Sequence, residues 1–229
     1  MDPADLQHLS PFLREKSLLA GQPLYEPGDD VGLIYFPSSC SIAVITVTAA
    51  GHNVETASIG FEGAVGLVPA LSHQGSPSRM TVQIGGGAIV LPAANLRERA
   101  ESSATLMKTM LVFFHAAMSQ TQQSVACALV HPLRARLARC LLVCEDRVGR
   151  AKIMLTQDDM GLMAGALRSS ISLAASEFKD AGLIHYSRGH LEILDRKGLE
   201  DVACGCYRAR RFEAGHQAPD GDARRLLHA

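Results

Sequence analysis

From Pro23 to Pro92 the chain alternates short apolar runs with turn signals. The runs cover residues 33–36, 41–48, 53–59, 80–84 and 88–91. Glu26-Pro27-Gly28-Asp29, Ala50-Gly51-His52, residues 60–66 and Gly85-Gly86-Gly87 separate them. Many short strands at near-regular spacing predict a β-sandwich or β-roll. The pattern then changes period. Residues 94–129 contain neither Gly nor Pro, which predicts one long helix, of which some 30 residues would span roughly 45 Å. Pro132 disfavours helix at His131 and ends it.

Two neighbouring stripes run along this helix at heptad spacing. One is Leu106, Met110, Phe113, Ala117, Gln120, Ser124 and Cys127. The other is Met107, Leu111, Phe114, Met118, Thr121, Val125 and Ala128. A double stripe is broader than one packing partner requires. One stripe is read as packing on the chain's own β-roll and the other on a dimer mate. A single helix buried in one core is the competing reading. The polar Gln120/Ser124 end either sets register or faces an effector.

A further helix begins at Pro132, with Leu133, Leu137, Cys140 or Leu141, and Cys144 on its inner face and Arg134, Arg136 and Arg139 solvated, near phosphates. It stops around Gly149. Thr156 and Asp159 have the spacing of a capping box for the next helix. Met160, Met163 and Ala164 face inward, and Gly165 makes a turn. A second helix follows from about residue 167 to 181, with Ile171, Ala174, Ala175 and Phe178 inward. Arg168, Ser169, Ser172, Leu173 and Ser176 are left outward or oblique. Gly182 reads as a C-cap. Residues 185–193 alternate around a Gly turn and predict a hairpin. Asp195 caps a last short helix through Val202.

Two short helices joined at a glycine, then a hairpin, form a winged helix-turn-helix, whose second helix enters the DNA major groove. Arg168 is placed to pair with guanine O6 and N7. Ser169, Ser170 and Ser172 bond bases or phosphates. Leu173 reads equally as a thymine-methyl contact and as packing against the wing. Arg188 and His190 at the wing tip are phosphate contacts. Thr156 and Gln157 stand at a helix start, which is an anion site.

The net charge of −1 looks wrong for a DNA binder until it is divided. Residues 1–129 hold 6 Lys/Arg against 10 Asp/Glu, and residues 130–229 hold 16 against 13. The sign change fits an acidic sensor part and a basic binding part. No apolar run of about 18 residues is present, so no transmembrane helix is expected. The first ten residues (MDPADLQHLS) lack a signal-peptide pattern, so the chain is expected to be cytoplasmic and its six cysteines reduced.

Leu24-Tyr25-Glu26-Pro27-Gly28-Asp29, Ile34-Tyr35-Phe36, residues 60–66 and Ser76-Pro77-Ser78-Arg79, followed by the helix-turn-helix, resemble the CRP/FNR family of transcription regulators. The resemblance spans about residues 10 to 207. It implies an α+β chain in four parts. Residues 1–93 form a β-roll sensor domain of the cyclic-nucleotide-binding, double-stranded jelly-roll type. Residues 94–130 form a long dimerisation helix, and 131–207 a winged helix-turn-helix. Residues 208–229 read as a disordered tail. It also implies a homodimer on a pseudo-palindromic site in double-stranded DNA, RNA polymerase as a partner, an effector on the sensor domain, and no catalysis. The dimer contacts would come from Leu106, Met110, Phe113, Phe114, Ala117, Met118 and Thr121.

The chain departs from the family in several places. The family's cyclic-nucleotide pocket uses a Glu for the ribose and an Arg for the phosphate. Ala64 stands where that Glu belongs, Glu62 is two residues out of register, and Arg79 matches the Arg only after a longer loop. A cyclic nucleotide is therefore not expected. Arg79 reads equally as a surface cation and as an anion-binding group. The effector set is Glu62, Gly63, Ala64, Ser78, Arg79, Gln120 and Ser124, with the ligand open. No cysteine precedes Cys40, which argues against an iron–sulfur cluster. His52, His73, His115 and His131 are scattered and read as structural rather than as haem ligands. Cys204-Gly205-Cys206 offers too few ligands for zinc, so no metal is expected. The recognition helix keeps the family's first Arg as Arg168. It carries Ser169 and Leu173 where the family has a Glu and a second Arg, so the family's operator does not carry over. The alternative function is a cupin-like metalloenzyme, or a ligand-binding module without DNA output.

Overall fold

The computed structural model describes residues 2–149 and 152–208. The N-terminal part holds α1 (Pro3–Leu9) and seven strands. These are β1 (Arg14–Leu18), β2 (Pro23–Tyr25), β3 (Leu33–Pro37), β4 (Ser41–Val47), β5 (Asn53–Ile59), β6 (Arg79–Ile84) and β7 (Gly86–Pro92), with α2 (Leu67–Ser72) between β5 and β6. The strands form two antiparallel sheets, ordered β1-β7-β3 and β2-β6-β4-β5. Leu18, Ile34 and Val90 of one sheet and Tyr25, Ile42 and Val82 of the other share one core. This is the β-roll that the alternating pattern predicted. Strands β1 and β2 were missed. In β1 only Leu18 is buried, so Arg-Glu-Lys-Ser carries no apolar alternation to read.

The helical stretch is not continuous. It divides into α3 (Ala93–Ser102) and α4 (Ala104–Val130). Ser103 leaves the helix with φ −122° and ψ 104°, and its hydroxyl accepts from Leu106 N. Serine competes locally for backbone groups, which favours a cap over a helix interior. The break is held by Asp5 of α1, which accepts from Arg99 Nε at 2.7 Å and Thr105 Oγ1 at 2.8 Å. Hydrogen bonds, that from Ser103 foremost, hold the Asp5 carboxyl below its ordinary range. The 27 residues of α4 span roughly 40 Å.

The C-terminal part comprises α5 (Leu133–Val148), β8 (Lys152–Met154), α6 (Gln157–Ala164), α7 (Arg168–Asp180), β9 (Ile184–Ser187), β10 (His190–Ile193) and α8 (Arg196–Val202). Leu137, Leu141, Met160, Ile171, Phe178, Leu191 and Leu199 belong to a second core. Strand β8 pairs with β10 in a sheet ordered β8-β10-β9, a partner for the hairpin that the sequence did not reveal. The tail reading falls on residues outside the described ones, apart from Arg208.

The two cores touch. Ile84 of β6 belongs to the second core rather than the first. Arg147 of α5 reaches the β-roll, where its Nε donates to Glu62 at 2.7 Å and its Nη1 to Ser58 Oγ. Arg134, Arg136 and Arg139 were expected to be solvated. Arg134 is exposed, pairing with Glu177 at 3.6 Å, but Arg136 and Arg139 are half-buried between the domains. Docking of α4 and β5 against α5 covers them, which helix periodicity alone cannot report.

Two dimer-contact assignments need correction. Leu106 and Met110 are 1% and 4% exposed within the core of their own β-roll, and Phe113 and Phe114 pack against it. The second stripe differs: Leu111, Met118 and Val125 are 59%, 64% and 56% exposed.

Candidate nucleic-acid interface

The interface is built from α6, α7 and the β9–β10 hairpin. Thr156 closes a complete capping box on α6. Its hydroxyl accepts from Asp159 N at 3.1 Å, while Asp159 Oδ2 accepts from Thr156 N at 2.8 Å. Helix α6 ends at Gly165, whose φ of 60° turns the chain into α7. Ile171, Ala174, Ala175 and Phe178 fix the inner face of α7 in the core. That packing leaves Arg168, Ser169, Ser170, Ser172, Leu173 and Ser176 in solvent. Helix α7 stops in a Schellman motif: Gly182 N donates to Lys179 O and Leu183 N to Phe178 O.

The hairpin turn is Arg188-Gly189, with φ of 49° and 80°. Two successive residues at positive φ match the right-handed strand twist, and glycine takes the second at no steric cost. Gly189 O accepts from Leu155 N at 2.8 Å. This bond holds the wing tip beside the start of α6, so Thr156, Gln157, Arg188 and His190 share one end of the domain. Gln157 Nε2 reaches Ser172 Oγ at 3.4 Å, tying that end to α7.

Sequence reasoning missed Asp158, whose Oδ2 lies 3.3 Å from Arg168 Nη1. Both side chains are about two-thirds exposed, at 68% and 65%. Such a pair is worth about 0–1 kcal/mol, so Arg168 leaves it for a base edge at little cost.

Residues 135–202 match the family model of the Crp-like helix-turn-helix domain. This part of the chain is a Crp-like helix-turn-helix domain. Among curated proteins no sequence matches. Solved structures share the fold of the chain. FixK2 from Bradyrhizobium japonicum aligns with a TM-score of 0.71 at 13% identity, over 84% of this chain and 98% of that one. A CRP/FNR-family transcriptional regulator from Thermus thermophilus, TTHA1359, gives 0.67 at 17% identity over 83% and 98%. The c-di-GMP-responsive global regulator CLP from Xanthomonas campestris gives 0.64 at 12% over 84% and 99%. Residues 135–202 are thus similar to the Crp-like helix-turn-helix domain, and the chain as a whole shares the fold of these regulators. No helix among the described residues is long and apolar enough to cross a membrane.

The residues expected at an effector site fall into two places. Glu62, Gly63, Ala64, Ser78 and Arg79 belong to the roll, yet they do not make a shared anion site. Glu62 is engaged by Arg147, and Arg79 Nε by Glu26 at 2.9 Å. Gly63 lies under the Phe113 ring, and Ala64 is in the core. Gln120 and Ser124 instead line a cavity of about 130 Å³ between β5, α4, α5 and α6. Glu55, Arg136, Arg139 and Met163 also line it. The Nε atoms of Arg136 and Arg139 are buried there without hydrogen-bond partners among the described residues. One signal for this joint was legible: Arg147 follows Val143 and Cys144 on the inner face of α5, so a cation stands where an apolar residue is expected.

Burial pushes the Glu55 carboxyl up to about 7, against the opposing pull of Arg147, Ser58 and Gln83. Gln83 Nε2 donates to its Oε2 at 2.6 Å. Folded Glu55 therefore keeps its proton from its ordinary value of 4.5 up to about 7, a window in which the unfolded chain has lost it. The stability this confers is complete below the window and is lost as pH rises through it, at up to about 1.4 kcal/mol per unit. Denaturant titrations across this range are expected to show that slope, and Glu55→Gln to flatten it. A wild-type slope equal to that of Glu55→Gln would contradict the assignment.

Burial pushes Cys204 up to about 12 and also raises Cys140, so both are protonated and poor nucleophiles at neutral pH.

Proposed function

We propose that the chain is a homodimeric transcription regulator that binds a pseudo-palindromic DNA site through α7 and is controlled from the joint between its domains. The carrying observation is the solvent-facing row Arg168, Ser169, Ser172 and Leu173 on a helix whose opposite face is locked in the core. Arg168 reads a guanine. Ser169, Ser170 and Ser172 add hydrogen bonds to bases or phosphates, and Leu173 an apolar contact. Thr156, Gln157, Arg188 and His190 hold phosphates on both sides of the groove and set register.

Two such helices, one from each protomer, would lie about 34 Å apart in successive major grooves. The exposed stripe of α4 is the surface that joins the protomers. The effector enters the cavity beside Gln120 and Ser124, where the guanidiniums of Arg136 and Arg139 suit an anionic group. Contacts there would reach α4, α5 and α6 together, and so bias how the DNA-binding domain is held. This reading replaces a cyclic nucleotide in the roll, where Ala64 offers no carboxylate and Glu62 and Arg79 are already paired.

Selection of bound sequences from a random DNA pool tests the proposal. A two-fold-related motif containing a guanine in each half-site is expected. Arg168→Ala should weaken binding to that motif by about 1–3 kcal/mol per half-site and relax preference at the guanine. Arg188→Ala should weaken all sequences alike and lower the salt dependence. Recovery of no enriched motif would overturn the reading.

A further inference from the structure

Three cysteines meet where α4 joins the DNA-binding domain. Cys127 lies in the last turn of α4, and Cys204 and Cys206 follow α8. All three are buried, and their Sγ atoms lie within 4.8 Å of one another. Cys127 and Cys204 approach to 3.5 Å. With Ala135 of α5 they form a cluster separate from the two main cores, and Cys204 N donates to Ala135 O at 3.3 Å. Gln123 Nε2 donates to Cys206 Sγ at 3.0 Å. The Arg139 guanidinium lies in the electrostatic field of these sulfurs and of Cys140. Its Nε has no hydrogen-bond partner among the described residues.

We propose that Cys127, Cys204 and Cys206 form a binding site for a thiophilic d10 cation, Cu(I) or Zn(II), held as three thiolates. Thiolate sets select such ions over hard cations. At a metal–sulfur distance of ~2.3 Å, three sulfurs around one ion stand about 4 Å apart. The cluster therefore needs only a small contraction. Binding exchanges three thiol protons for one ion, which leaves a complex of charge −2 with Cu(I) or −1 with Zn(II). Arg139 is a half-buried cation within electrostatic range of that negative charge, and Gln123 supplies an N–H to one sulfur. Three sulfurs complete a trigonal Cu(I) site, whereas Zn(II) takes a fourth donor, so the buried site favours Cu(I). The ligands come from both sides of the joint that the proposed regulation uses, so a bound ion would clamp α4 to the end of the DNA-binding domain.

The full chain, fully reduced and free of oxygen, is titrated separately with Cu(I) and with Zn(II). Bound ion per protomer after desalting and the ultraviolet thiolate-to-metal absorption are read. One ion per protomer is expected, with Cu(I) the tighter. Cys127→Ala and Cys204→Ala should lose it, whereas Cys40→Ala, in the β-roll core, should keep it. Because buried substitutions can unfold the chain, the wild type supplies a second readout. Its melting temperature should rise on loading and return on adding a chelator. The proposal is overturned if the wild type retains neither ion, or if the triple alanine variant binds as well as the wild type. DNA selection with the metal-free chain keeps the two proposals separate, since it can succeed where metal binding fails, and the reverse.

Discussion

Arg147→Ala is expected to destabilise the protein by about 3–5 kcal/mol, because it removes one partner of a buried ion pair. The Arg147 side chain is 1% exposed, while its partner Glu62 retains 30%. Glu62 can therefore turn toward water, which places the loss nearer the lower figure. Glu55 has less freedom. Arg147 is the strongest influence favouring its ionised form, so its pKa should rise further without the guanidinium. The stem contributes as well. A Cβ added at Gly60 would lie 2.6 Å from Arg147 Cγ, so the loop after β5 is closed down on the arginine. Gly60→Ala should consequently act in the same direction. Arg147→Met keeps most of the stem and separates lost packing from lost charge. Denaturant unfolding checks all three. Arg147 joins two cores, so a second signature is expected: the wild type should unfold in one transition and Arg147→Ala in two, as the domains uncouple. An Arg147→Ala loss below about 1 kcal/mol, with one transition retained, would place the coupling elsewhere.

Leu111→Glu combined with Met118→Glu should convert the proposed homodimer to a monomer that is folded but a poor DNA binder. Both side chains point away from the protomer's own core, so the melting temperature of the monomer should change little. In a dimer each apolar side chain contributes about 1.5–3 kcal/mol when fully buried. Two glutamates on each side of a two-fold interface also face each other as like charges. Linking two half-site readers raises overall affinity by about 10²- to 10⁴-fold. Loss of the dimer should forfeit most of that on a two-half-site DNA while leaving single half-site binding intact. Analytical ultracentrifugation and titration against both DNAs provide the measurement. A double variant that remains dimeric would remove the α4 stripe from the interface.

Much of the DNA-binding unit was legible because its signals are local. Thr156 and Asp159 form a cap within one turn, Gly165 and Gly182 mark backbone positions that need positive φ, and the period of Ile171, Ala174 and Phe178 names the inner face. The β-roll was legible as alternation, except where β1 presents only Leu18. Other features were not local. Ser103 breaks the long helix partly because Asp5, far away in the chain, organises that turn. Leu106 and Met110 looked like interface positions, since a heptad stripe does not say which of two partners covers it.

The sequence by itself determined the order of the main parts, from β-roll through a long helical stretch to a winged helix-turn-helix with its outward Arg168, and the replacement of the expected nucleotide-binding Glu by Ala64. Each follows from residues a turn or a strand apart, or from one position in a motif. Only the tertiary structure decided which stripe of α4 is free, that Glu62 and Arg79 are already paired, and that Arg136 and Arg139 are half-buried at the joint. It alone brought Cys127 to Cys204 and Cys206. The physical reason is that burial, pKa and ligand geometry depend on groups far apart in the chain, and periodicity carries no information about what lies across a packed interface.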